Sequence, residues 1–473
     1  MYKFISLLLA IFPYFLSAQS YDKMNVDIIS HWDGATTASV GWVGNRYSGC
    51  MGYENSGRQY AIVGNADGTY IVDITVAGDP TTIDFVAGAL DSCTWREYQV
   101  YDHYAYAVSD DGGPNKFQII DLQYLPDSAH LVHNSNSIFQ RSHTIFVNNG
   151  LLYCGSVTTT TGFYTMAVYD IASSHENPIL MRVLSDDGIT VGHVHDMFVH
   201  NDTIYASCGY DGLRVIYYDK TMNTFTLLGS LTSYPDMGYN HSSCLMDDGK
   251  TLIMCDEVPE SLDVKSINVS DLSDIQTNTT FRSDYDATPH NPYNTHINNR
   301  TIIAYYQDGL HVFDMTNPSM PILAGYFDTH HQSVGTAHET ASAYRGNWGA
   351  YIFPSNRHII ANDMQNGLYV LNADTALGII GTGIYESDTT QFNIVANPNP
   401  SHGKYDIGIE SNQSGMAQIM LTNILGAEIY RENIAIQKGV NRHHLDISKY
   451  PDGIYMMRIE MDSYKTSRKL IKQ

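Results

Sequence analysis

IIAYYQDGLHVFDM, from Ile302 to Met315, shows the pattern that decides the fold. An apolar run leads into the turn Asp308-Gly309, and an alternating run then ends in Asp314. Two apolar runs joined by Asp-Gly are typical of a β-hairpin. The same unit recurs along most of the chain. The seven residues that close it are Asp73, Asp121, Asp170, Asp219, Asn268, Asp314 and Asn372.

Five of the six spacings between these closing residues lie between 46 and 49 residues. Periods of about 40 to 50 residues built from short strands indicate the blades of a β-propeller. A further short strand precedes each unit and another follows it, which makes four antiparallel strands a blade. The sequence therefore predicts an all-β protein with a seven-bladed propeller over residues 25–378.

The last repeat ends at Asn372 without an obvious fourth strand. The N-terminal segment from Val26 to Asp33 has the pattern of the fourth strands in other repeats, such as Pro321–Asp328. We expect this segment to complete the seventh blade and close the ring. Closure would remove open sheet edges, which otherwise promote aggregation.

The chain of 473 residues carries 26 Lys and Arg against 50 Asp and Glu, a net charge of −24. This charge repels phosphate backbones and anionic lipid surfaces, so neither nucleic acid nor a membrane surface is an expected partner. Residues 1–18 combine one Lys with an apolar stretch that is too short to span a bilayer, which predicts a secretion signal. The protein is therefore expected to act outside the cytoplasm.

Six cysteines then lie in an oxidising environment, where disulfides are allowed. Six allow fifteen connectivities, and spacing favours the pairs Cys50–Cys93 and Cys244–Cys255. The alternative is that all six are small buried thiols within strands.

Aligning the strand that precedes each unit brings seven residues to one phase: Cys50, Trp95, His143, His195, His241, His290 and Trp348. This strand would be innermost in a propeller, so four consecutive histidines would face the central channel. Turns on the same face carry Asp67, Asp110, Asp111, Asp211, Asp256, Glu257, Asp308 and Asp363. Imidazoles beside carboxylates predict a site for a divalent metal, with His143, His195, His241 and His290 as ligands.

The alternative for these histidines is that they bind buried water and backbone carbonyls in a wet channel. Glu97 would be the general base if a metal-bound water existed, or else a buried carboxylate paired with Arg96 or Arg141. His193 and His195 share one strand face and could both be ligands, while Asp196 points to the other face.

The long insert from Asp328 to Asn347 carries four further candidate residues. It is expected to be either a lid over the channel or a solvated loop. The candidate lid residues are His330, His331, His338 and Glu339.

The period stops after Gly378, and residues 379–390 are predicted to be a linker. Residues 391–473 carry Asn397-Pro-Asn-Pro400, Leu445-Asp-Ile447, Asp452-Gly-Ile-Tyr455 and the tail Lys469-Leu-Ile-Lys472. These motifs resemble the C-terminal sorting domain of the Bacteroidetes type IX secretion system. The resemblance implies a small β-sandwich that the outer-membrane machinery of a Gram-negative bacterium reads, delivering the protein to the medium or the cell surface.

The propeller region resembles the LVIVD-repeat proteins, and within them the choice-of-anchor B family. The resemblance rests on Gly212-Leu-Arg-Val-Ile216, Gly309-Leu-His-Val-Phe313 and Gly367-Leu-Tyr-Val-Leu371, with Gly192-His-Val-His195 as a more specific string. It implies a secreted propeller of unassigned activity. Three functions remain open: a surface module that binds a small ligand, a glycan or a protein, a structural adhesin, and a metal-dependent hydrolase or lyase.

Overall fold

The computed structural model describes residues 21–111, 113, 115–283, 287–330, 344–379, 392–411, 414–423, 427–461 and 464–473. The chain divides into two compact units, Met1–Ile379 and Ile380–Gln473. Within the described residues the regular structure is β-strand apart from one short 3-10 helix, Leu184–Asp187, so the predicted all-β class is confirmed. No helix among these residues is long and apolar enough to cross a membrane.

The strands of the first unit follow one another in a regular order. The first fourteen are β1 (Lys23–Met24), β2 (Asp27–Trp32), β3 (Tyr47–Asn55), β4 (Arg58–Asn65), β5 (Gly68–Asp73), β6 (Thr81–Ala87), β7 (Glu97–Tyr101), β8 (Tyr104–Val108), β9 (Phe117–Asp121), β10 (His130–Ser135), β11 (Thr144–Asn148), β12 (Leu151–Thr158), β13 (Phe163–Asp170) and β14 (Ile179–Val183). The next fifteen are β15 (Asp196–His200), β16 (Thr203–Ser207), β17 (Leu213–Asp219), β18 (Thr224–Leu231), β19 (Asn240–Leu245), β20 (Thr251–Asp256), β21 (Val264–Asn268), β22 (Gln276–Phe281), β23 (Asn291–Asn294), β24 (Arg300–Ala304), β25 (Leu310–Asp314), β26 (Ile322–Phe327), β27 (Asn347–Ile352), β28 (Ile359–Asp363) and β29 (Gly367–Asn372).

These strands form seven antiparallel sheets, which we number 1 to 7 along the chain. Sheets 1 to 5 each contain four consecutive strands, from β3–β6 in sheet 1 to β19–β22 in sheet 5. Sheet 6 contains β23–β26 with β1 added at the edge of β26, and sheet 7 contains β27–β29. The fourth strand of sheet 7 is β2, which pairs with β29 from Asp27 opposite Asn372 to Trp32 opposite Leu368. The N-terminal segment thus pairs where its pattern predicts.

Neighbouring sheets meet through both their first strands and their cores. The first strand of each sheet contacts the first strand of the next, and β27 of sheet 7 contacts β3 of sheet 1. Seven apolar clusters lie between successive sheets, and the last one combines Leu368 and Val370 of sheet 7 with Ala61 and Val63 of sheet 1. The order of contacts therefore returns to its starting point.

The closing Asp or Asn of each unit has a local structural reason. In six of the seven units its side-chain oxygen accepts a hydrogen bond of 2.8–3.0 Å from the backbone N–H two residues further on. In the third unit the corresponding acceptor is Asp170, and the donor is the N–H of Ser173 at 3.1 Å. This Asx turn ends the strand and satisfies a backbone donor that leaves the sheet.

The turn glycines are also required by the fold. Gly309 and Gly367 have φ values of 74° and 91°, which side chains with a Cβ rarely adopt. A Cβ on Gly309 would collide with the carbonyl oxygen of Phe327, and one on Gly367 with that of Trp32. Because Phe327 ends the fourth strand of sheet 6, Trp32 of β2 occupies the same place in sheet 7.

The second unit contains two sheets around a core of its own. Its strands are β30 (Phe392–Asn397), β31 (Lys404–Ser411), β32 (Gly415–Asn423), β33 (Glu428–Ile436), β34 (Gly439–Asp446), β35 (Gly453–Met461) and β36 (Tyr464–Lys472). One sheet has the order β30-β31-β34 and the other β33-β32-β35-β36. Ile407, Ile419, Leu421 and Ile459 are fully buried within its core.

All six cysteines lie in the described part of the first unit, and all are free thiols. Neither Cys50–Cys93 nor Cys244–Cys255 is a disulfide, so the favoured pairing was wrong. Five of the six are buried in strands or beside them, and burial raises the pKa of the Cys244 thiol to about 12. They behave as small apolar side chains.

Candidate functional site

The four histidines that the sequence aligned lie side by side. Their ring centroids are 4.1 Å apart between His143 and His195, 4.3 Å between His195 and His241, and 4.4 Å between His241 and His290. Trp348 continues the row at 4.4 Å from His290. Each residue comes from the start of a different sheet. The side chains are neighbours because the first strands of successive sheets contact one another in order.

Two of the aligned residues occupy other places. In sheets 3, 4 and 6 each histidine directly precedes the first paired residue of the first strand, which is Thr144, Asp196 or Asn291. In sheet 2 the first paired residue is Glu97. The residue in register with the histidines is therefore Arg96 rather than Trp95. Trp95 stacks on Trp348 with centroids 4.8 Å apart.

Sheet 1 departs from the alignment as well. In sheet 5 the register shifts directly after the paired residue Asn240, and His241 is the next residue. In sheet 7 it shifts directly after Asn347, and Trp348 is the next residue. Tyr47 is the corresponding paired residue of sheet 1, which makes Ser48 the register equivalent. Cys50 lies two residues further on and points its thiol at the carbonyl of Gly349, 3.7 Å away.

The tautomers of three histidines follow from their backbone partners. Nδ1 of His195 lies 3.1 Å from the carbonyl oxygen of His241, and Nδ1 of His241 lies 3.1 Å from that of His290. Nδ1 of His290 lies 2.5 Å from the carbonyl oxygen of Trp348. A carbonyl can only accept, so each Nδ1 carries the hydrogen and each neutral ring keeps its lone pair on Nε2.

His143 differs from the other three because its Nδ1 meets a carboxylate. The distance to Oδ2 of Asp110 is 2.6 Å. Burial lowers the pKa of His143, but the adjacent Asp110 outweighs burial and raises it to about 9. At neutral pH His143 is therefore an imidazolium paired with a carboxylate.

The remaining three imidazoles are neutral at the same pH. Burial, together with the charge on His143, lowers the pKa of His241 to about 3. Burial and the neighbouring His241 lower the pKa of His290 to about 3, and burial and His143 hold that of His195 well below its ordinary value. Desolvation of a cation is the common cause.

Two carboxyl groups lie beside the imidazoles. Glu97 accepts a hydrogen bond of 2.5 Å from the indole of Trp348, and burial, opposed by that bond, raises its pKa to about 7. Asp196 accepts a hydrogen bond of 2.8 Å from Thr144, and burial raises its pKa to about 6. Asp196 is thus bonded to the neighbouring sheet, and it lines the same cavity as His195.

Among the described residues, Glu97 forms no ion pair with Arg96 or Arg141. The guanidinium of Arg96 instead donates to the backbone carbonyls of Asn65, Ala66 and Leu90. The expected pairing of Glu97 with an arginine was therefore wrong.

A cavity of about 40 Å³ lies among these groups. Its lining is mixed in charge and polarity. The lining residues are Glu97, His143, Thr144, His195, Asp196, His241, His290, Asn291 and Trp348. On this measure a water molecule needs about 10–15 Å³, so the cavity has room for an ion with one or two waters.

Of the acidic turn residues, the structure brings Asp110 and Glu257 to the histidines. Oε2 of Glu257 lies 3.8 Å from Nε2 of His241, and Oε1 accepts a hydrogen bond of 2.6 Å from Tyr306.

Other acidic turn residues are bonded elsewhere. Asp256 forms a fully buried ion pair with Lys265. Asp211 accepts the backbone N–H of Gly192, and Asp111 accepts those of Thr94 and Trp95.

The candidate lid lies mostly outside the described residues, which exclude His331, His338 and Glu339. His330 is described, and its Nδ1 lies 3.4 Å from Oδ2 of Asp363. His193 is hydrogen-bonded to the hydroxyl of Tyr239 at 2.6 Å, and its ring lies 6.3 Å from that of His195.

Aromatic side chains that the sequence analysis did not single out extend outward from the histidines. Tyr306 lies 4.6 Å from His290 and 5.6 Å from Tyr344, which in turn lies 5.8 Å from Trp42. Tyr239 lies 5.2 Å from His195 and 5.2 Å from Tyr210. Trp42 is 68% exposed and Tyr210 66% exposed. We call these five residues (Trp42, Tyr210, Tyr239, Tyr306 and Tyr344) the aromatic rim.

A signal for the rim was present in the sequence, since Tyr210 lies one residue and Tyr306 two residues before an Asp-Gly turn of the repeat. Position in a turn indicates a loop but not which loops converge.

The comparisons with known proteins identify the second unit. Residues 396–473 match the family described as the secretion system C-terminal sorting domain. The chain is thus exported by the type IX secretion machinery to the cell surface or the extracellular space, as the C-terminal motifs predicted. No curated protein sequence matches the chain.

Solved structures similar to the chain share little sequence with it. Two proteins provisionally assigned as 6-phosphogluconolactonases, from Bacteroides uniformis and Bacteroides fragilis, are each 12% identical, with TM-scores of 0.45 and 0.44. The alignments cover 84% and 85% of this chain, and 98% and 97% of the other two. A protein from Lactobacillus plantarum is 12% identical over 80% of this chain and 96% of its own, with a TM-score of 0.47. Scores in this range carry no argument about activity.

Proposed function

We propose that the seven sheets form a closed seven-bladed β-propeller and that the exported protein is an extracellular binding module for a neutral saccharide. The order of contacts between sheets, which returns from sheet 7 to sheet 1, supports closure. The N-terminal strand β2 supplies the fourth strand of the last blade. An LVIVD-repeat propeller of the choice-of-anchor B type is the architecture that the repeat motifs favour.

The observation that carries the binding proposal is the aromatic rim. Two of its rings are two-thirds exposed, although large aromatic side chains gain free energy when they are buried. The rim is continuous through ring contacts with the channel histidines. Exposed aromatic faces stack on the apolar faces of sugar rings, while nearby carboxylates and hydroxyls accept and donate hydrogen bonds to sugar hydroxyls.

The net charge of −24 favours a neutral saccharide over a sulfated or uronic acid polymer. Asp110, Asp211 and Glu257 add local negative charge near the rim.

A panel of neutral hexose and pentose oligosaccharides tests this proposal on the full chain. Binding is followed by tryptophan fluorescence and by calorimetry. We expect saturable binding to at least one member and a loss of about tenfold in affinity for each of Trp42→Ala and Tyr210→Ala. Tyr124→Ala is the matched control, because Tyr124 is 47% exposed but does not belong to the rim. Absence of binding, or binding that both rim variants retain, would contradict the proposal.

A second candidate function is a metal-dependent hydrolase or lyase, with His143, His195, His241 and His290 as ligands. It is favoured by Glu97, which lines the same cavity and has a pKa near 7, as a general base requires. Turnover of chromogenic ester and glycoside substrates by the metal-loaded protein, lost in Glu97→Gln and on chelation, would support it. A folded, metal-loaded protein without turnover would count against it.

A further inference from the structure

His195, His241 and Glu257 bring three metal-binding side chains together from two adjacent sheets. One nitrogen from each imidazole and one oxygen of the carboxylate lie within 4.8 Å of one another. The separation of Nε2 of His241 from Oε2 of Glu257 is 3.8 Å. Donor atoms about 2.0–2.2 Å from a tetrahedral Zn²⁺ are about 3.3–3.6 Å apart, so small side-chain rotations would bring this set onto an ion.

The hydrogen-bond partners orient the set as they do in metal sites. Both histidines donate Nδ1–H to a backbone carbonyl, which leaves the lone pair on Nε2. Tyr306 holds the other oxygen of Glu257 at 2.6 Å. Metal-bound histidines almost always donate their second ring N–H to a carbonyl or carboxylate, and ligating carboxylates are themselves hydrogen-bonded.

His290 provides an independent indication of a missing partner. It is 1% exposed, lines the cavity, and its Nε2 has no hydrogen-bond partner among the residues that the structure describes. A buried polar atom without a partner is costly. An ion at the neighbouring pair, or a water bound to that ion, would satisfy it.

His143 does not fit the set, although it belongs to the same row. Among the described residues, the metal-binding atoms that lie within 4.8 Å of one another come from His195, His241 and Glu257, and none comes from His143. Its Nδ1 lies 2.6 Å from Oδ2 of Asp110 and is therefore not free to bind an ion at this set. This ligand set therefore differs from the four-histidine set that the sequence predicted.

We propose that His195, His241 and Glu257 form a site for one divalent first-row transition metal ion, with His290 beside the ion as a fourth ligand or as a hydrogen-bond acceptor for its water. Two imidazoles and a carboxylate suit Zn²⁺, Fe²⁺ or Co²⁺ better than Ca²⁺ or Mg²⁺, which favour oxygen ligands. The site does not depend on saccharide binding at the rim.

Zinc binding to the chelator-treated full chain tests the site. Zn²⁺ content after dialysis and calorimetric titration give stoichiometry and affinity, and visible absorption of the Co²⁺-loaded protein reports the ligand field. We expect one ion per chain and a loss of at least about 100-fold in affinity in His241→Ala and in Glu257→Gln. Tyr306→Phe, which removes only the hydrogen bond to Glu257, should weaken binding about tenfold and shift the Co²⁺ spectrum.

The controls separate this set from its alternatives. His200→Ala removes an exposed histidine whose hydrogen-bond partner in the described part of the chain is Asn201, and it should leave the affinity unchanged. His143→Ala should retain binding, so a loss of the ion in that variant would overturn the set in favour of four histidines. Circular dichroism and melting confirm that each variant folds, and Glu257→Gln keeps the side-chain shape should His241→Ala fail to fold.

The proposal is overturned if the folded wild type binds neither Zn²⁺ nor Co²⁺, or if Glu257→Gln binds Zn²⁺ as tightly as the wild type. Saccharide titrations repeated in chelator distinguish the two proposals. Binding at the rim that persists without metal, while Zn²⁺ is not bound, would leave the rim proposal standing and remove this one.

Discussion

The four histidines that line the cavity have the same side chain, yet their surroundings give them two different charges. His143 faces Asp110, whereas the other three face backbone carbonyls. The carboxylate compensates a cation in a buried position, and a carbonyl dipole compensates it too weakly. The same residue type thus forms one ion pair, at His143, and three neutral imidazoles that donate Nδ1–H to backbone carbonyls.

Asp187 shows the same dependence at a structural position. It accepts two hydrogen bonds from Arg182 and one from the N–H of Phe225, which joins sheet 3 to sheet 4. The bond from Arg182, against burial, lowers the pKa of Asp187. The folded state therefore binds fewer protons than the unfolded state. The resulting stability is present above the ordinary pKa of Asp and is lost as the pH falls through the lower folded value.

We predict that Asp187→Asn is less stable than the wild type by about 2 kcal/mol at pH 7. The difference should shrink below the ordinary Asp pKa of 3.8, where the carboxylate of the unfolded wild type begins to bind a proton while that of the folded state remains charged. Urea unfolding of the full chain at neutral and acidic pH measures both values. Asp186→Asn is the control, because Asp186 lies 3.8 Å from Arg182 and is 47% exposed, and it should change stability by less than about 0.5 kcal/mol. A difference that is constant with pH would show that the ion pair is not its source.

At the level of the element, β2 has the largest consequence for the fold. It lies far from β29 in sequence but forms the outer strand of sheet 7, and Trp32 donates a hydrogen bond of 3.0 Å to Thr82 of sheet 1. Trp32 is 5% exposed and packs against Tyr47 and Tyr70. One strand thus both completes a sheet and connects the last sheet to the first.

Deleting residues 25–33 should cause misfolding or aggregation, because it exposes the edge of β29 and removes Trp32 from its cluster. Trp32→Ala alone should cost about 3–5 kcal/mol. Trp32→Phe, which keeps an aromatic ring, should cost less. Differential scanning calorimetry and size-exclusion chromatography check these expectations, and a deletion variant that melts like the wild type would refute them.

At the level of the whole molecule, each unit has an apolar core built from its own residues. The second unit buries Ile407, Ile419 and Ile459 in one cluster, and the clusters between sheets 1 to 7 contain residues only of the first unit. Domains with separate cores can fold separately.

We predict that a chain ending at Ile379 folds with an unchanged melting temperature but is not exported. A reporter protein fused to residues 391–473 should be exported by a host with type IX machinery, since that segment includes the sorting domain. Fractionation of cells and medium measures export, and calorimetry measures folding. A large drop in the melting temperature of the truncated chain would show that the first unit depends on the second.

Much of the fold was predictable because its signals are local. The Asp-Gly turns, the alternating runs and the closing Asp or Asn each act over two to five residues, so repetition of the pattern reveals repetition of the sheet. The sorting motifs were recognisable for the same reason. The row of four histidines also followed, since equal positions in repeated units occupy equal places.

The register of the first strands was not predictable in the same way. The residue that faces the histidine row depends on which residue of the first strand begins the pairing, and nothing near Trp95 or Ser48 in the sequence marks that residue. The alignment therefore placed Trp95 and Cys50 where the structure has Arg96 and Ser48.

The sequence by itself thus determined the all-β class, the number of repeated units, the route of export and which histidines would be neighbours. Only the tertiary structure decided that Glu257 approaches His241, that Tyr306 orients it, and that His143 is charged while His195, His241 and His290 are neutral. The physical reason is range. Hairpins and turns arise from contacts within a few residues, whereas ligand geometry, tautomer and pKa depend on burial and on partners from other sheets.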